Sequence, residues 1–140
     1  MILLLHCAAA LFMTGVIWFV QVVHYPLFGR VSGRFADYVH EHSRRTTPIV
    51  APVMILELFS GLWLVWTASP DNAVALWINA ALLLVIWLST FLLQMPLHRR
   101  ISQGEGVGLV PRLVMGNWIR TICWSARSIL LLWLLPALAP

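Results

Sequence analysis

Four long apolar stretches, separated by short polar connections, make up most of this chain of 140 residues. They cover about residues 2–23, 47–67, 73–96 and 117–138. A helix needs roughly 20 residues to cross the hydrocarbon of a bilayer, which is about 30 Å thick, and each stretch has that length. Because the connections are short, neighbouring helices must be antiparallel. The pattern predicts an all-α fold, an integral membrane up-down-up-down four-helix bundle in a single transmembrane domain.

The first connection carries a periodicity of its own. Phe28, Val31, Phe35 and the pair Tyr38-Val39 recur at helical spacing, with charged residues between them. Such a pattern is typical of an amphipathic helix that lies in the membrane interface. We therefore expect an amphipathic interfacial helix between helices 1 and 2.

The two halves of the chain match when one is shifted by 70 residues. Residues 22–32 then fall on residues 92–102, with Pro, Leu, Arg and Ser in common. Apolar positions also fall on apolar positions. The match predicts two parallel two-helix repeats, residues 1–70 and 71–140, related by an axis along the membrane normal.

The composition agrees with a lipid environment. Hydrophobic residues make up 61% of the chain and charged residues 10%, and the mean hydropathy is +0.87. These values lie far outside the range of soluble domains. No basic residue precedes the first apolar stretch, and the stretch continues well past a small-residue segment, so we interpret it as a retained helix and not as a cleaved signal.

Arginine is concentrated on one side of the predicted membrane. Seven arginines lie in the first and third connections, and none lies in the second: Arg30, Arg34, Arg44, Arg45, Arg99, Arg100 and Arg112. The positive-inside rule then makes loops 1 and 3 cytoplasmic and puts both termini outside, in the cytoplasmic (inner) membrane. Since this topology accounts for the pI of about 10.1, we predict no nucleic-acid partner.

Two ionisable residues of opposite charge lie inside apolar spans. Glu57 and Arg127 are 70 residues apart, and counting 1.5 Å per residue from the loop side puts both about half way across the bilayer. Charged side chains at that depth usually face the bundle interior and have partners. The pair is either a structural ion pair that fixes the helix packing, or part of a polar site in which Glu57 accepts a proton. Arg120 is a further candidate for such a site.

Polar residues and tryptophans follow one face of helices 1, 3 and 4. Their spacing of three to four residues predicts a polar, Trp-lined pocket in the cytoplasmic half of the bundle. The alternative is that these side chains only hold the helices together by hydrogen bonds. The candidate binding residues are Trp18, Gln21, His24, Trp87, Gln94, His98, Asn117, Trp118 and Trp124.

The histidines raise the question of a metal or a haem group. His24 and His98 end helices 1 and 3 on the same side, so their imidazoles are the candidate haem ligands. The chain has no H-x-x-x-H or C-x-x-C motif, and we predict no metal-ion site. Haem and chlorophyll are kept as alternative cofactors.

Three segments of the second half resemble a known family. They are Pro96-Leu97-His98-Arg99-Arg100-Ile101, Arg112-Leu113-Val114 and Asn117-Trp118-Ile119-Arg120-Thr121. They look like the end of the third helix and the start of the fourth in the anthrone-oxygenase-like family of small four-helix membrane proteins, with His98 where that family has Asn. The resemblance implies oxidation of a flat aromatic or other hydrophobic substrate without a metal, with Asn117, Trp118 and Arg120 near the site.

A second likeness, mainly in architecture, is to the four-helix membrane protoporphyrinogen oxidases, which have a similar size and a basic first loop with a histidine. Three functional hypotheses follow. The leading one is a pocket for a hydrophobic or amphipathic small molecule, with Arg120 or Arg127 at its polar end and with redox chemistry in reach. The others are an accessory subunit of a larger membrane complex, which would ligate haem or chlorophyll, and a small dimeric carrier.

Overall fold

The computed structural model describes residues 1–31 and 33–138, and nearly all of them are helical. Helix 1 is Ile2–Phe28, helix 2 is Phe35–Trp66, helix 3 is Pro70–Glu105, and helix 4 is Val110–Leu138 after a single 3₁₀ turn. All four are long and apolar enough to span a membrane. The predicted all-α four-helix membrane bundle is confirmed.

The four helices form a closed ring. Each helix packs against its neighbours in sequence, and helix 4 packs back against helix 1. Two apolar clusters fill the interior. One lies toward the end of the bundle that carries the first and third connections, called the loop end below, and includes Met13, Ile17 and Ile86. The other lies toward the end that carries the two termini and includes Leu76 and Leu131. Between them lies a layer of buried polar side chains, which is described below.

The segment that the sequence assigns to an interfacial helix is divided between helices 1 and 2. Phe28 ends helix 1, Val31 lies in the non-helical connection, and Phe35 begins a helix of 32 residues that runs without a break to Trp66. The expectation of a separate interfacial helix is therefore wrong, and the part of the segment from Phe35 onward is the beginning of helix 2. Phe35 and Val39 are buried against the loop end of helix 1, where Phe28 is also buried. Neither Gly nor Pro occurs between Phe35 and Thr47, so nothing in the backbone interrupts the helix.

Widened helical turns occur at corresponding places in the two halves of the bundle. They are Val20–His24 and Thr90–Gln94, and after each the next residue donates its peptide N–H to the carbonyl five residues back. A third widened turn, Ile101–Glu105, ends helix 3. A proline follows two residues after each of the first two turns, at Pro26 and Pro96. A proline ring clashes with the carbonyl four residues before it, and an extra residue in the turn moves that carbonyl aside. These two turns are 70 residues apart, the same shift as in the sequence match, while a common origin of the two halves stays a prediction.

Gly61 on helix 2 allows a close helix contact, which can be tested. A Cβ atom on Gly61 would lie 3.1 Å from Cε1 of His6. We expect Gly61→Ala to cost about 1–3 kcal/mol through overpacking and to lower Tm in a thermal unfolding measurement in detergent. Gly15→Ala is the matched control, because nothing lies within 4 Å of an added Cβ there and Ala favours a helix by about 1 kcal/mol. Equal Tm values for the two variants would contradict the close contact.

Candidate functional site

An ion pair lies at the centre of the bundle. Nη1 of Arg127 is 2.6 Å from Oε1 of Glu57, and both side chains are 0% exposed. Trp124, one turn before Arg127, donates its indole N–H to the same carboxylate, at 3.1 Å from Oε2. The predicted intramembrane ion pair is therefore present, and it joins helix 2 to helix 4.

The other two helices complete this layer. Nε of Arg127 donates to Oδ1 of Asn79 at 3.0 Å, and Nη2 donates to Nε2 of His6 at 3.2 Å. The amide of Asn79 also donates to Nε2 of His6, at 3.1 Å. Because Nε2 accepts from both donors, the imidazole proton lies on Nδ1, from which it is donated to Oγ of Ser60 at 2.7 Å. The Ser60 hydroxyl in turn donates to the carbonyl of Leu56 at 2.6 Å.

This central network, formed by His6, Glu57, Ser60, Asn79, Trp124 and Arg127, is closed. Within the described part of the chain, no buried side-chain N or O atom of these residues lacks a hydrogen-bond partner. Its carboxylate is already shared by a guanidinium and an indole, and neither Glu57 nor Arg127 lines the groove described below. The geometry therefore favours the structural interpretation of the pair, and a role for Glu57 as proton acceptor stays a prediction.

A second polar cluster lies toward the loop end of helices 1 and 4. Nδ2 of Asn117 donates to Oε1 of Gln21 at 2.8 Å, and the Gln21 amide donates to the carbonyl of Val114 at 3.2 Å. Nε of Arg120 donates to Oδ1 of Asn117 at 3.0 Å, and Nη2 donates to the same oxygen and to the hydroxyl of Tyr25, at 3.4 Å from the latter. These contacts hold the Arg120 guanidinium in one orientation.

Three histidines extend this cluster. The Tyr25 hydroxyl lies 2.8 Å from Nε2 of His98. The hydroxyl oxygen also accepts from Nη2 of Arg120, and the direction of its hydrogen bond with His98 depends on which ring nitrogen of His98 carries the proton. His24 and His42 are hydrogen-bonded through Nε2 and Nδ1 at 2.7 Å, and the His42 ring stacks on that of His98 with centroids 5.7 Å apart.

The haem alternative meets an obstacle in this arrangement. Nε2 of His24 and Nε2 of His98 are both engaged in hydrogen bonds to protein side chains, so iron ligation through these atoms would have to displace those bonds. Among the residues that the structure describes, no group of three or more His, Cys, Asp or Glu side chains is arranged to hold a metal ion. Haem ligation by these two histidines stays a prediction.

A groove of about 590 Å³ opens between helices 2 and 3 at the loop end. Its walls are mainly apolar and include Met54, Trp87 and Phe91, while His98 and Arg120 contribute polar groups. This volume lies within the range of about 300–1,000 Å³ that is usual for small-molecule sites. The groove is thus a mainly apolar cleft whose lining also contains histidine, hydroxyl, amide and arginine side chains.

Arg120 has a different environment from the other buried arginine. It is 7% exposed, and no carboxylate oxygen of the described residues lies within 4.0 Å of it, whereas Arg127 is paired with Glu57. A charged side chain without a partner inside the hydrocarbon is costly, up to roughly 3 kcal/mol at the centre of a membrane helix on insertion scales and less toward the interface. Three other residues that line the groove have a buried polar atom without a partner in the described structure: Trp87 (Nε1), Gln94 (Oε1) and His98 (Nδ1).

The structure distributes the predicted site residues over four locations. Trp87, Gln94, His98 and Arg120 line the groove. Gln21 and Asn117 lie behind Arg120, and His24 is linked to the groove through His42. Glu57, Trp124 and Arg127 belong to the central network. The last two, Trp18 and Trp118, lie on the outer surface.

Trp18 and Trp118 lie away from the groove. They are 43% and 37% exposed, and their rings meet edge to face at 5.7 Å on the outside of helices 1 and 4. Nε1 of Trp18 donates to Oγ of Ser125 at 3.0 Å. These two side chains fit the interfacial or lipid-facing role of exposed tryptophan in membrane proteins, and their predicted contact with a ligand has no geometric support in the groove.

Sequence reasoning also missed several members of the two clusters. His6, Ser60 and Asn79 complete the central network, and Tyr25 and His42 complete the loop-end cluster. The available signal was their polarity inside apolar spans, because such residues are rare in membrane helices and usually have partners. Tyr25 also lies one turn after Gln21, on the polar stripe that the sequence indicates for helix 1.

Comparison with protein-family models, curated proteins and solved structures finds no match to this chain. The fold and the apolar surfaces define a small integral membrane protein with four helices. Its function must therefore be inferred from the geometry of its own sites.

The central ion pair yields a stability prediction. Removing one partner of a buried pair leaves an uncompensated charge and typically costs about 3–5 kcal/mol. We expect Glu57→Gln and Arg127→Gln each to lower the free energy of unfolding by that amount, and the double variant to lower it by less than the sum. Denaturant unfolding of the four proteins measures this coupling.

The control for this comparison of single and double variants is the exposed ion pair between Arg100 and Glu105, in which Nη2 of Arg100 lies 2.5 Å from Oε2 of Glu105. Glu105→Gln should change the free energy of unfolding by less than about 1 kcal/mol, as is usual for surface pairs. Additive effects of Glu57→Gln and Arg127→Gln would show that the two residues are not coupled.

Proposed function

We propose that the protein binds an amphipathic small molecule in the groove between helices 2 and 3, with the polar end of the molecule held by Arg120. The observation that carries this proposal is a buried guanidinium without a counter-charge in the lining of a mainly apolar cleft. Ligand sites are typically apolar clefts with a few convergent polar groups. A bound polar group would relieve the cost of the isolated charge.

The molecule would enter from the bilayer. Ile55, Phe91 and Met95 line the groove and are also between 46% and 53% exposed on the helix surfaces. In a membrane these exposed side chains contact acyl chains, so the mouth of the groove is within reach of a molecule dissolved in the lipid. An amphipathic molecule could insert its tail without leaving the membrane.

The arginine distribution supports a location of the groove on the cytoplasmic side of the inner membrane. The groove lies at the end of the bundle that carries the arginine-rich connections, and the positive-inside rule makes this end cytoplasmic. Both termini would then be outside. The bound molecule would come from the inner leaflet or from the cytoplasm.

This topology can be tested by cysteine labelling. Gln103 is exposed and lies in the last turn of helix 3. In a Cys7→Ala/Cys123→Ala background, Gln103→Cys should react with a membrane-impermeant maleimide only after the inner membrane of spheroplasts is permeabilised. Ser69→Cys, in the exposed connection at the other end of the bundle, is the matched control and should react in intact spheroplasts. The reverse pattern would put the groove on the outer side.

We also propose that the protein oxidises the bound molecule, because the resemblance to the anthrone-oxygenase-like family implies an oxygenase-like reaction. Near the groove, the acid–base groups best placed to take part are Tyr25 and His98, which are already hydrogen-bonded to each other. Proton transfer between ligand and imidazole would need only one further hydrogen bond.

The binding proposal is tested by native mass spectrometry of the protein extracted from its own membrane. We expect a species of protein mass plus a small amphipathic molecule. Ala51→Phe narrows the groove, because Ala51 lines it, and should remove the bound molecule. Ala8→Phe is the matched control, because Ala8 is exposed on helix 1 and does not line the groove, and this variant should retain the molecule.

Other outcomes of the same measurement favour the two alternatives. A persistent large assembly or a co-purified pigment would favour an accessory subunit that ligates haem or chlorophyll. A dimer without a bound molecule would favour a small carrier. Retention of the molecule in Ala51→Phe would show that it binds elsewhere.

A further inference from the structure

Resting on the proposed function, we infer that the polar end of the ligand is an oxyanion, a carboxylate or a phosphate, and that Arg120 binds it directly. The groove thus takes anionic amphiphiles in preference to neutral ones of the same chain length. Three features favour an anionic head group: the charge of the groove, the free donors of Arg120, and the depth of Arg120 in the membrane.

The charge of the groove is positive. Its lining includes the arginines Arg99 and Arg120 and, among the described residues, no aspartate or glutamate. Arginine side chains carry a full positive charge in proteins. A neutral head group such as an alcohol would leave this charge uncompensated, whereas an oxyanion would neutralise it.

The hydrogen bonds of Arg120 leave donors for a ligand. Nε and Nη2 are occupied by Asn117 and Tyr25, while Nη1 makes no hydrogen bond within the described part of the chain. The Nε–Nη2 edge of the guanidinium is therefore held by protein side chains, while Nη1 is free to donate to a ligand. Two N–H groups on Nη1 and a full positive charge are the chemistry that binds carboxylate and phosphate oxygens.

Buried polar atoms without a partner in the described structure also lie around the groove. One is Nδ1 of His98, which is a donor in the tautomer whose Nε2 accepts from Tyr25. Nε1 of Trp87 is a second donor without a partner. Both atoms are covered by neighbouring side chains, so they reach a head group only after a side-chain rotation. Oε1 of Gln94 is an acceptor without a partner in the described lining of the groove.

The depth of Arg120 fits the head group of a single-chain amphiphile. Arg120 precedes Arg127 by two helical turns on helix 4, which is about 10 Å along the axis. If Arg127 is near the middle of a hydrocarbon layer of about 30 Å, Arg120 lies roughly 5 Å inside the interface. A head group bound there lets the tail follow the apolar wall of Met54, Trp87 and Phe91.

The test compares three probes that share a 16-carbon chain: palmitate, hexadecyl phosphate and hexadecanol. Each is titrated into delipidated protein in a non-ionic detergent, and binding is measured by native mass spectrometry. We expect at least one of the two anions to bind about tenfold more tightly than hexadecanol, a difference of about 1.4 kcal/mol. Preference for palmitate would indicate a free carboxylate ligand, and preference for hexadecyl phosphate a phosphate head group.

Arg120→Gln should reduce the preference for the anions over hexadecanol to within about twofold. Arg120→Lys keeps the charge and should keep the preference. Arg112→Gln removes an exposed arginine of the same helix that does not line the groove and is the matched control. A Tm measured for each variant reports whether it is folded, and the comparison of probes on the wild-type protein does not depend on any variant.

The outcomes separate the two proposals. Equal binding of all three probes to the wild-type protein, abolished by Ala51→Phe, would overturn the oxyanion inference and leave the binding groove in place. Binding that Ala51→Phe does not change, or no binding of any probe, would overturn the groove itself. A full anion preference in Arg120→Gln would show that another group binds the head.

Discussion

The contact between Glu57 and Arg127 organises the interior of the bundle. In hydrocarbon no water is present to solvate a charge, so each buried polar group needs a partner from the protein. The carboxylate of helix 2 and the guanidinium of helix 4 meet at 2.6 Å, and Asn79 and His6 bring helices 3 and 1 into the same layer. Rotation of any one of the four helices about its axis would break hydrogen bonds in this layer, so the layer fixes which face of each helix points inward.

The need of a buried charge for a partner also applies to Arg120. Arg120 and Arg127 lie on one helix, two turns apart, and both are buried. Arg127 has a carboxylate partner, so its charge is accounted for within the protein. Arg120 is held by an amide oxygen and a phenol, which orient a guanidinium without neutralising it. This contrast between a paired and an unpaired arginine is the reason for proposing a ligand at Arg120 and a structural role for Arg127.

The positions of the four membrane spans and the depth of the charged residues could be predicted from the sequence. Both follow from the thickness of hydrocarbon and from the rise of 1.5 Å per residue, so Glu57 and Arg127 could be expected at one level. The lateral direction of each side chain could not be obtained in this way. Widened turns change the rotation of helices 1 and 3 near their loop ends, and in apolar spans almost every face has a hydrophobic residue. Trp18, Trp118, His6 and Asn79 all lie outside the widened turns, so for them the second cause applies. Trp18 and Trp118 were expected in a pocket and are exposed on the outer surface, while His6 and Asn79 are buried and were missed.

The 70-residue shift also bears on why the groove occurs on one side of the bundle. If the halves are equivalent, as the shift predicts, the boundary between helices 2 and 3 corresponds to the boundary between helices 4 and 1. Trp18 and Trp118 pack edge to face across that second boundary, where the shift gives Leu88 and Pro48 as their counterparts. An aromatic contact thus covers the boundary between helices 4 and 1, whereas the boundary between helices 2 and 3 contains the groove. The two boundaries therefore differ in their side chains even though the widened turns of the two halves are 70 residues apart.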